Sequence, residues 1–286
     1  MATVGTLGEG LLEVGVFPGL AEEFLGRGYG GDAANVAVMS ARLGARARLI
    51  TRLGDDPAGR LLLEFWEAAG VDTTFVAVEA GASTGLYVND RASDGAHAFS
   101  YHRARSAASH ISPADLESVP IEELDVLHLT GITLEISVSA AATAELGVAR
   151  ARAAGVPVSF SVNFRSALDP DPARLAAAAR SADILFISDD DGEALFGVRA
   201  PGELLEALGP RRGETIITRG AAPARVVTAA GAVEIAPPQV EVVDTAGAGD
   251  AMAGAYLAAR LAGADSYAAL ASGVAAASLS CLACTR

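Results

Sequence analysis

The sequence predicts an α/β fold with a mainly parallel central sheet and a small second sheet standing off it. Two observations carry this. Short β-branched or apolar runs alternate with longer Ala-rich stretches of helical periodicity along most of the chain, the pattern of parallel strands joined by helical crossovers. Residues 8–29 and 83–104 break that alternation with strand-like pieces that have no helix of matching length. The chain has 286 residues, 51% of them hydrophobic. That is enough for a large core, and residues 1–286 are read as one domain. No repeat of solenoid period and no low-complexity linker divides it.

The first helix is expected in "GYGGDAANVAVMSARLGA" (28–45). Asp32 can cap it by accepting backbone N–H bonds. Val36, Met39 and Leu43 recur at helical spacing as a buried face, and Gly44 suits the C′ stop. Gly30 and Gly31 let a ligand approach the main chain, and Asn35 in the first turn can point back at it. A tight turn with an ordinary cap fits the same residues. "RLIT" (48–51) is the next strand. "TGLYV" (84–88) and "HAFSYHR" (97–103) supply the small sheet, an appendage under which a ligand site often lies. "DVLHLTG" (125–131) precedes a helix at about 137–154, and "VPVSFSVN" (156–163) reads as a buried strand. "DILFIS" (183–188), "ETIITRG" (214–220) and "ARVVTAAGAVEIA" (224–236) continue the sheet.

Composition removes several functions. The net charge of −14 disfavours nucleic acid and anionic membranes. All 21 basic residues are Arg and none is Lys, which excludes a Walker-type P-loop and a Schiff base. "GTLGEG" (5–10) lacks the G-x-G-x-x-G spacing of a dinucleotide fold. No apolar run reaches membrane-spanning length and no signal peptide is visible, so a cytoplasmic protein is expected. The two cysteines, Cys281 and Cys284, close an apolar helical pattern. They read as small buried residues suited to a reducing compartment.

The chemistry concentrates in "VVDTAGAGDAMAGA" (242–255). Val242 and Val243 read as the close of a strand, and Met252, Tyr256 and Ala259 as the start of a helix face. Gly247, Ala248 and Gly249 then fall at a helix N-terminus, where unpaired N–H groups and the dipole attract a phosphate. Asp250 beside such a site is either a helix cap or a base that takes the proton of an attacking alcohol.

"GGDAANVAVMSARLGA" and "DTAGAGDAMAGAYLA", in this order and separation, resemble the two signatures of the ribokinase-like (PfkB) carbohydrate kinases. The resemblance runs over essentially the whole chain. It implies a three-layer sandwich with a small β-sheet lid, Asp250 as catalytic base, and Gly247–Ala248–Gly249 as the anion hole. It also implies ATP and Mg²⁺ as cofactors and pairing into a homodimer through the lid. "TGLYV", "YHRARSAASHISPADL", "LHLTGI" and "SVNFR" are similar to the 2-keto-3-deoxygluconate kinase subgroup. That similarity implies sugar contacts from Gly31, Asn35, Tyr87, Tyr101, Arg103 and Arg165. Paired hydrogen bonds from Arg suit the carboxylate of a sugar acid.

For the nucleotide, the resemblance implies Ser188 and, near Mg²⁺, Asp191 from "FISDDDGEALFG". It also implies Thr218 and Gly220 from "TRGAAPA", in which Ala224 replaces a second glycine. Asp244 is the candidate for a monovalent cation. Ser161 stands where the family usually has an acid. The sequence ends at "CLACTR", where family members usually continue into a loop and helix near the adenine; either that element is lacking, which would weaken nucleotide affinity, or the sequence is shortened. The alternatives are a kinase for a neutral sugar or nucleoside such as fructose or ribose, and a catalytically weak sugar-binding relative.

Overall fold

A computed structural model describes residues 2–17, 24–91, 97–211 and 213–282. Its main sheet has β1 (Thr3–Leu7) near the middle, paired in parallel with β4 (Arg46–Gly54) and β9 (Val126–Thr130). The parallel run continues through β10 (Val158–Ser161), β11 (Ile184–Ser188) and β12 (Glu214–Arg219). Beyond β4 lie β5 (Val71–Asp72) and β6 (Val76–Glu79). At the other edge β13 (Ala222–Thr228) and β14 (Gly231–Ile235) fold back as an antiparallel hairpin. The small sheet holds β2 (Leu11–Phe17), β3 (Phe24–Gly30), β7 (Leu86–Arg91) and β8 (His97–His102) in the order β3-β2-β7-β8. These are the described strands of the two segments that broke the alternation.

Helices cover both faces of the main sheet, so its central strands are apolar on both sides. On one face Leu127 and Leu129 pack with Phe160 and with Ala140 and Ala144 of α4 (Val138–Ala154). Ser137 caps α4 by accepting the Ala140 N–H. On the other face Val126, Val4 and Phe186 meet Val36 of α1 (Asp32–Arg42) and Met252 and Tyr256 of α8 (Ala248–Leu261). Helix α9 (Ser266–Ser280) packs on α8 and the β13–β14 hairpin. Shorter helices complete the layers: α2 (Pro57–Ala68), α3 (Gly131–Glu135), α5 (Pro172–Ser181), α6 (Asp189–Phe196) and α7 (Pro201–Leu208). No helix among the described residues is long and apolar enough to cross a membrane.

Several local expectations are corrected. Gly31, not Asp32, is the N-cap of α1; Asp32 is its first helical residue and does not cap it. Its side chain turns inward and accepts the Thr130 hydroxyl and the Ala33 N–H. Helix α1 ends at Arg42, so Leu43 falls outside the buried stripe and is 49% exposed. Val242 and Val243 close no strand. They are exposed in an irregular segment tied back by the Val243 and Asp244 N–H groups, which donate to the Cys281 carbonyl. Two prolines at 237–238 lack the N–H that would extend the sheet there. Cys281 is the C-cap of α9, and Cys284 lies outside the described residues.

Helices α1 and α8 meet in a close seam, and their first turns face the C-terminal ends of the parallel strands. Gly254 makes the seam close: a Cβ there would lie 2.7 Å from Met39 Cβ and 2.8 Å from the Val36 carbonyl. The Ser40 hydroxyl donates to the Gly254 carbonyl across it at 3.2 Å. Gly254→Val is therefore expected to push the helices apart and cost about 1–3 kcal/mol, as overpacking does. Urea denaturation would measure the loss, and an unchanged midpoint would show that the seam yields freely.

Candidate active site

The C-terminal ends of the parallel strands and the underside of the small sheet enclose a cavity of about 580 Å³. This is where open parallel sheets bind ligands. The small sheet contributes Tyr87, Phe99 and Tyr101, with the two tyrosine rings 5.6 Å apart. Tyr87 is buried, and its hydroxyl donates to Glu13 at 2.7 Å. Arg103, just past β8, lies with its guanidinium carbon 4.6 Å from the Tyr101 ring centroid, a cation–π arrangement. Its Nη1 donates to Glu9, which follows β1. Arg165, beyond β10, is exposed at the rim, where its Nη1 donates to the Phe164 carbonyl at 2.9 Å.

Asp250 sits in the first turn of α8, after an N-cap Gly247 whose left-handed φ of 74° suits glycine. It is therefore not the cap. Its carboxylate accepts Asn35 Nδ2 at 2.9 Å and Asn163 Nδ2 at 3.4 Å. Asn163 holds an unusual φ of 43° to reach it, the kind of strain that gathers at functional sites. Burial and the nearby Asp32 push the Asp250 carboxyl up to about 7, against the pull of Asn35, Arg165 and Asn163. Burial likewise raises Asp32.

The amides beside Asp250 divide unevenly. Ala248 N–H donates to the Thr245 carbonyl at 3.2 Å. Among the described residues, the Gly247 and Gly249 amides have no such acceptor, and both residues line the cavity. A Cβ added to Gly249 would meet nothing within 4 Å, so its backbone is open to a ligand. Helix N-terminal amides of this kind suit an anion.

The remaining predicted residues fall into two groups. Gly31, Ser188, Thr218 and Asp191 line the cavity. Ser188 caps α6, accepting the Asp191 N–H at 3.0 Å. Asp191 is buried, and it accepts Ser188 N–H and Phe164 N–H, each at 2.9 Å. The structure does not bring Gly220 or Asp244 to the cavity wall. Gly220 is in the β12–β13 turn with φ 55°. Ala224 is no part of that turn; it is a buried β13 residue paired with Ile235, because the turn closes before Ala222. Asp244 is buried and accepts Ala246 N–H at 2.9 Å and Asn89 Nδ2 at 3.3 Å. No group of three or more His, Cys, Asp or Glu among the described residues is placed to hold a metal ion.

Sequence reasoning missed Glu9, Asn163 and the inward turn of Asp32. The available signals were an acid directly after a strand in "TLGEG" and an acid directly after paired glycines.

Comparison with known proteins gives this geometry a context. Residues 21–283 match the pfkB family carbohydrate kinase. The chain belongs to the PfkB family and is a sugar kinase of it. It is 36% identical to the 2-dehydro-3-deoxygluconokinase of Thermoproteus tenax, over 98% of this chain and 88% of that one. It is also 36% identical to the aminoimidazole riboside kinase of Salmonella typhimurium, over 80% of this chain and 72% of that one. A double-mutant fructokinase from Vibrio cholerae O395, in its fructose-, ADP- and potassium-bound form, superposes with a TM-score of 0.84 at 26% identity. That alignment covers 100% of this chain and 92% of the fructokinase.

The elevated Asp250 pKa makes a stability prediction. Its folded value of about 7 exceeds its ordinary value of 3.8, so the folded state binds the extra proton. Wild-type stability should fall as pH rises from about 4 to 7 through this group. Asp250→Asn removes that penalty. Relative to wild type it should be about 2–4 kcal/mol more stable at pH 8 and no more stable at pH 4. Urea titrations at the two pH values measure the difference; a gain equal at both would contradict the assignment.

Proposed function

We propose that this protein transfers the γ-phosphoryl group of ATP to a primary hydroxyl of 2-keto-3-deoxygluconate. One observation supports this above the others: a buried carboxylate, Asp250, set among side-chain amides beside open helix N-terminal N–H groups. A base with a pKa near the working pH accepts a proton efficiently in the transition state. In this reading Asp250 removes the hydroxyl proton and the sugar oxygen attacks the γ-phosphorus. The Gly247 and Gly249 amides stabilise the charge that develops on the transferring group. Closure of the small sheet excludes water.

Ser188, Thr218 and Gly220 are assigned to the nucleotide side. For Mg²⁺ the chain offers Asp191. Its oxygens each accept one backbone N–H and retain a lone pair, which fits an ion that keeps several waters. When bound, Mg²⁺ offsets phosphate charge. A monovalent cation is assigned to the loop around Asp244; the potassium of the Vibrio fructokinase form motivates this. Pairing of two copies is assigned to the small sheet, whose edge strands are β3 and β8. A reducing cytoplasm suits the free Cys281.

The choice of a sugar acid rests on Arg103 and Arg165 at the cavity and on the extent of the similarity to the Thermoproteus kinase. A second reading, a neutral sugar, is favoured by one observation: Arg103 already pairs with Glu9. Replacement of Arg103 separates the two. Arg103→Met should abolish phosphorylation of 2-keto-3-deoxygluconate in a coupled assay, whereas undiminished turnover of fructose would favour the neutral sugar.

The mechanism has its own test. Asp250→Asn should lower turnover about 10²–10⁴-fold with little change in KM. The wild-type rate should rise with pH through about 7 as Asp250 ionises. Near-normal turnover in the variant would sink the mechanism.

A further inference from the structure

Glu9 has no part in the phosphoryl transfer, yet it lies in the sugar cavity against the guanidinium assigned to the substrate. The Glu9 and Arg103 side chains are 2% and 9% exposed, so water does not screen their pairing. A sugar carboxylate arriving at Arg103 meets a second carboxylate already there. Two anions sharing one buried cation repel, and one of them is driven to the neutral form.

Among the described residues Glu9 has no other cation to turn to. Asp32 on α1 adds repulsion, and Asp250 on α8 lies beyond Asp32. Arg165, past β10, is exposed at the rim and bonded to Phe164. Tyr87 on β7 donates its hydroxyl to Glu13, and Tyr101 on β8 offers Arg103 its ring face. The α2 and α3 residues packed on the neighbours of Glu9, Trp66 and Thr133, are uncharged.

We propose that Glu9 is the specificity-determining residue of the sugar cavity: it serves as internal counter-ion to Arg103 and yields that guanidinium, as the neutral acid, to a substrate carboxylate. A neutral sugar instead finds the pair intact and uses Glu9 as a hydrogen-bond acceptor. Burial already pushes the Glu9 carboxyl up to about 7 against the pull of Arg103, so taking up a proton at neutral pH is a small step. The proposal rests on the reading that a sugar acid docks on Arg103, and its test separates the two.

Asp250 also titrates near neutrality, so the comparison is made in the Asp250→Asn background. Binding of 2-keto-3-deoxygluconate and of fructose is measured by calorimetry at pH 6 and pH 8, in buffers of different ionisation enthalpy. With Glu9 present, affinity for the acid should fall about tenfold from pH 6 to pH 8, with net proton uptake. With Glu9→Gln the fall and the uptake should vanish, and the acid-to-fructose affinity ratio at pH 8 should rise about tenfold. Glu9→Asp, which keeps the charge, should retain the pH dependence. If the parent binds fructose and not the acid, the substrate reading fails, yet Glu9→Gln must still shift the ratio toward the acid. An unchanged ratio, or equal loss of both sugars, overturns the role of Glu9 whatever the parent prefers.

Discussion

The burial of one carboxylate organises this molecule. Asp250 is largely buried at the wall of the cavity, and the residues around it make its charge tolerable. An ionised carboxylate in such a place needs hydrogen bonds or a counter-charge. Asn35 and Asn163 supply the hydrogen bonds from opposite sides. Those two residues sit 128 positions apart in the chain, one in the first turn of α1 and the other past the end of β10. Their convergence requires α1 and α8 to touch, which the bare Cα of Gly254 permits. It also requires Asn163 to accept a left-handed backbone. The packing elsewhere thus offsets a local arrangement that is unfavourable on its own.

Charge balance obeys the same logic across the cavity. The chain carries a net charge of −14, and its cavity is acidic as well, with Glu9, Asp32, Asp191 and Asp250 in one wall or another. Each acid is managed differently. Glu9 is paired with a guanidinium. Asp32 is held by a hydroxyl and a backbone amide. Asp191 takes two backbone amides. Asp250 takes two side-chain amides. Glu9 and Asp250 are the two held by side-chain groups alone, one by a charged partner and the other by neutral amides.

Much of this was legible in the sequence. The parallel strands and long helices emerged from periodicity, because their determinants are local: the Ala-rich run read as a helix at about 137–154 forms α4, with Ser137 and Gly155 at its ends. The placement of Asp250 after a glycine-rich turn was legible for the same reason. Glu9 was not. Its meaning depends on Arg103, 94 residues away, and an acid directly after a strand in "GTLGEG" does not by itself name that partner. Asp32 read as a cap because Asp before a helical run usually is one. The cap fell to Gly31, whose positive φ of 93° a residue without Cβ adopts freely. The exposed Val242 and Val243 misled because β-branched residues favour strands, and here no neighbouring strand was available to pair with them.

Asp191 shows how one residue joins the two ends of the cavity. At the level of local structure it completes a capping box with Ser188 at the start of α6. Its second oxygen reaches Phe164 N–H, and Phe164 stands between Asn163 and Arg165. The same carboxylate therefore ties the end of β11 at Ser188 to the segment after β10, which carries Arg165 and Asn163, a hydrogen-bond donor to Asp250.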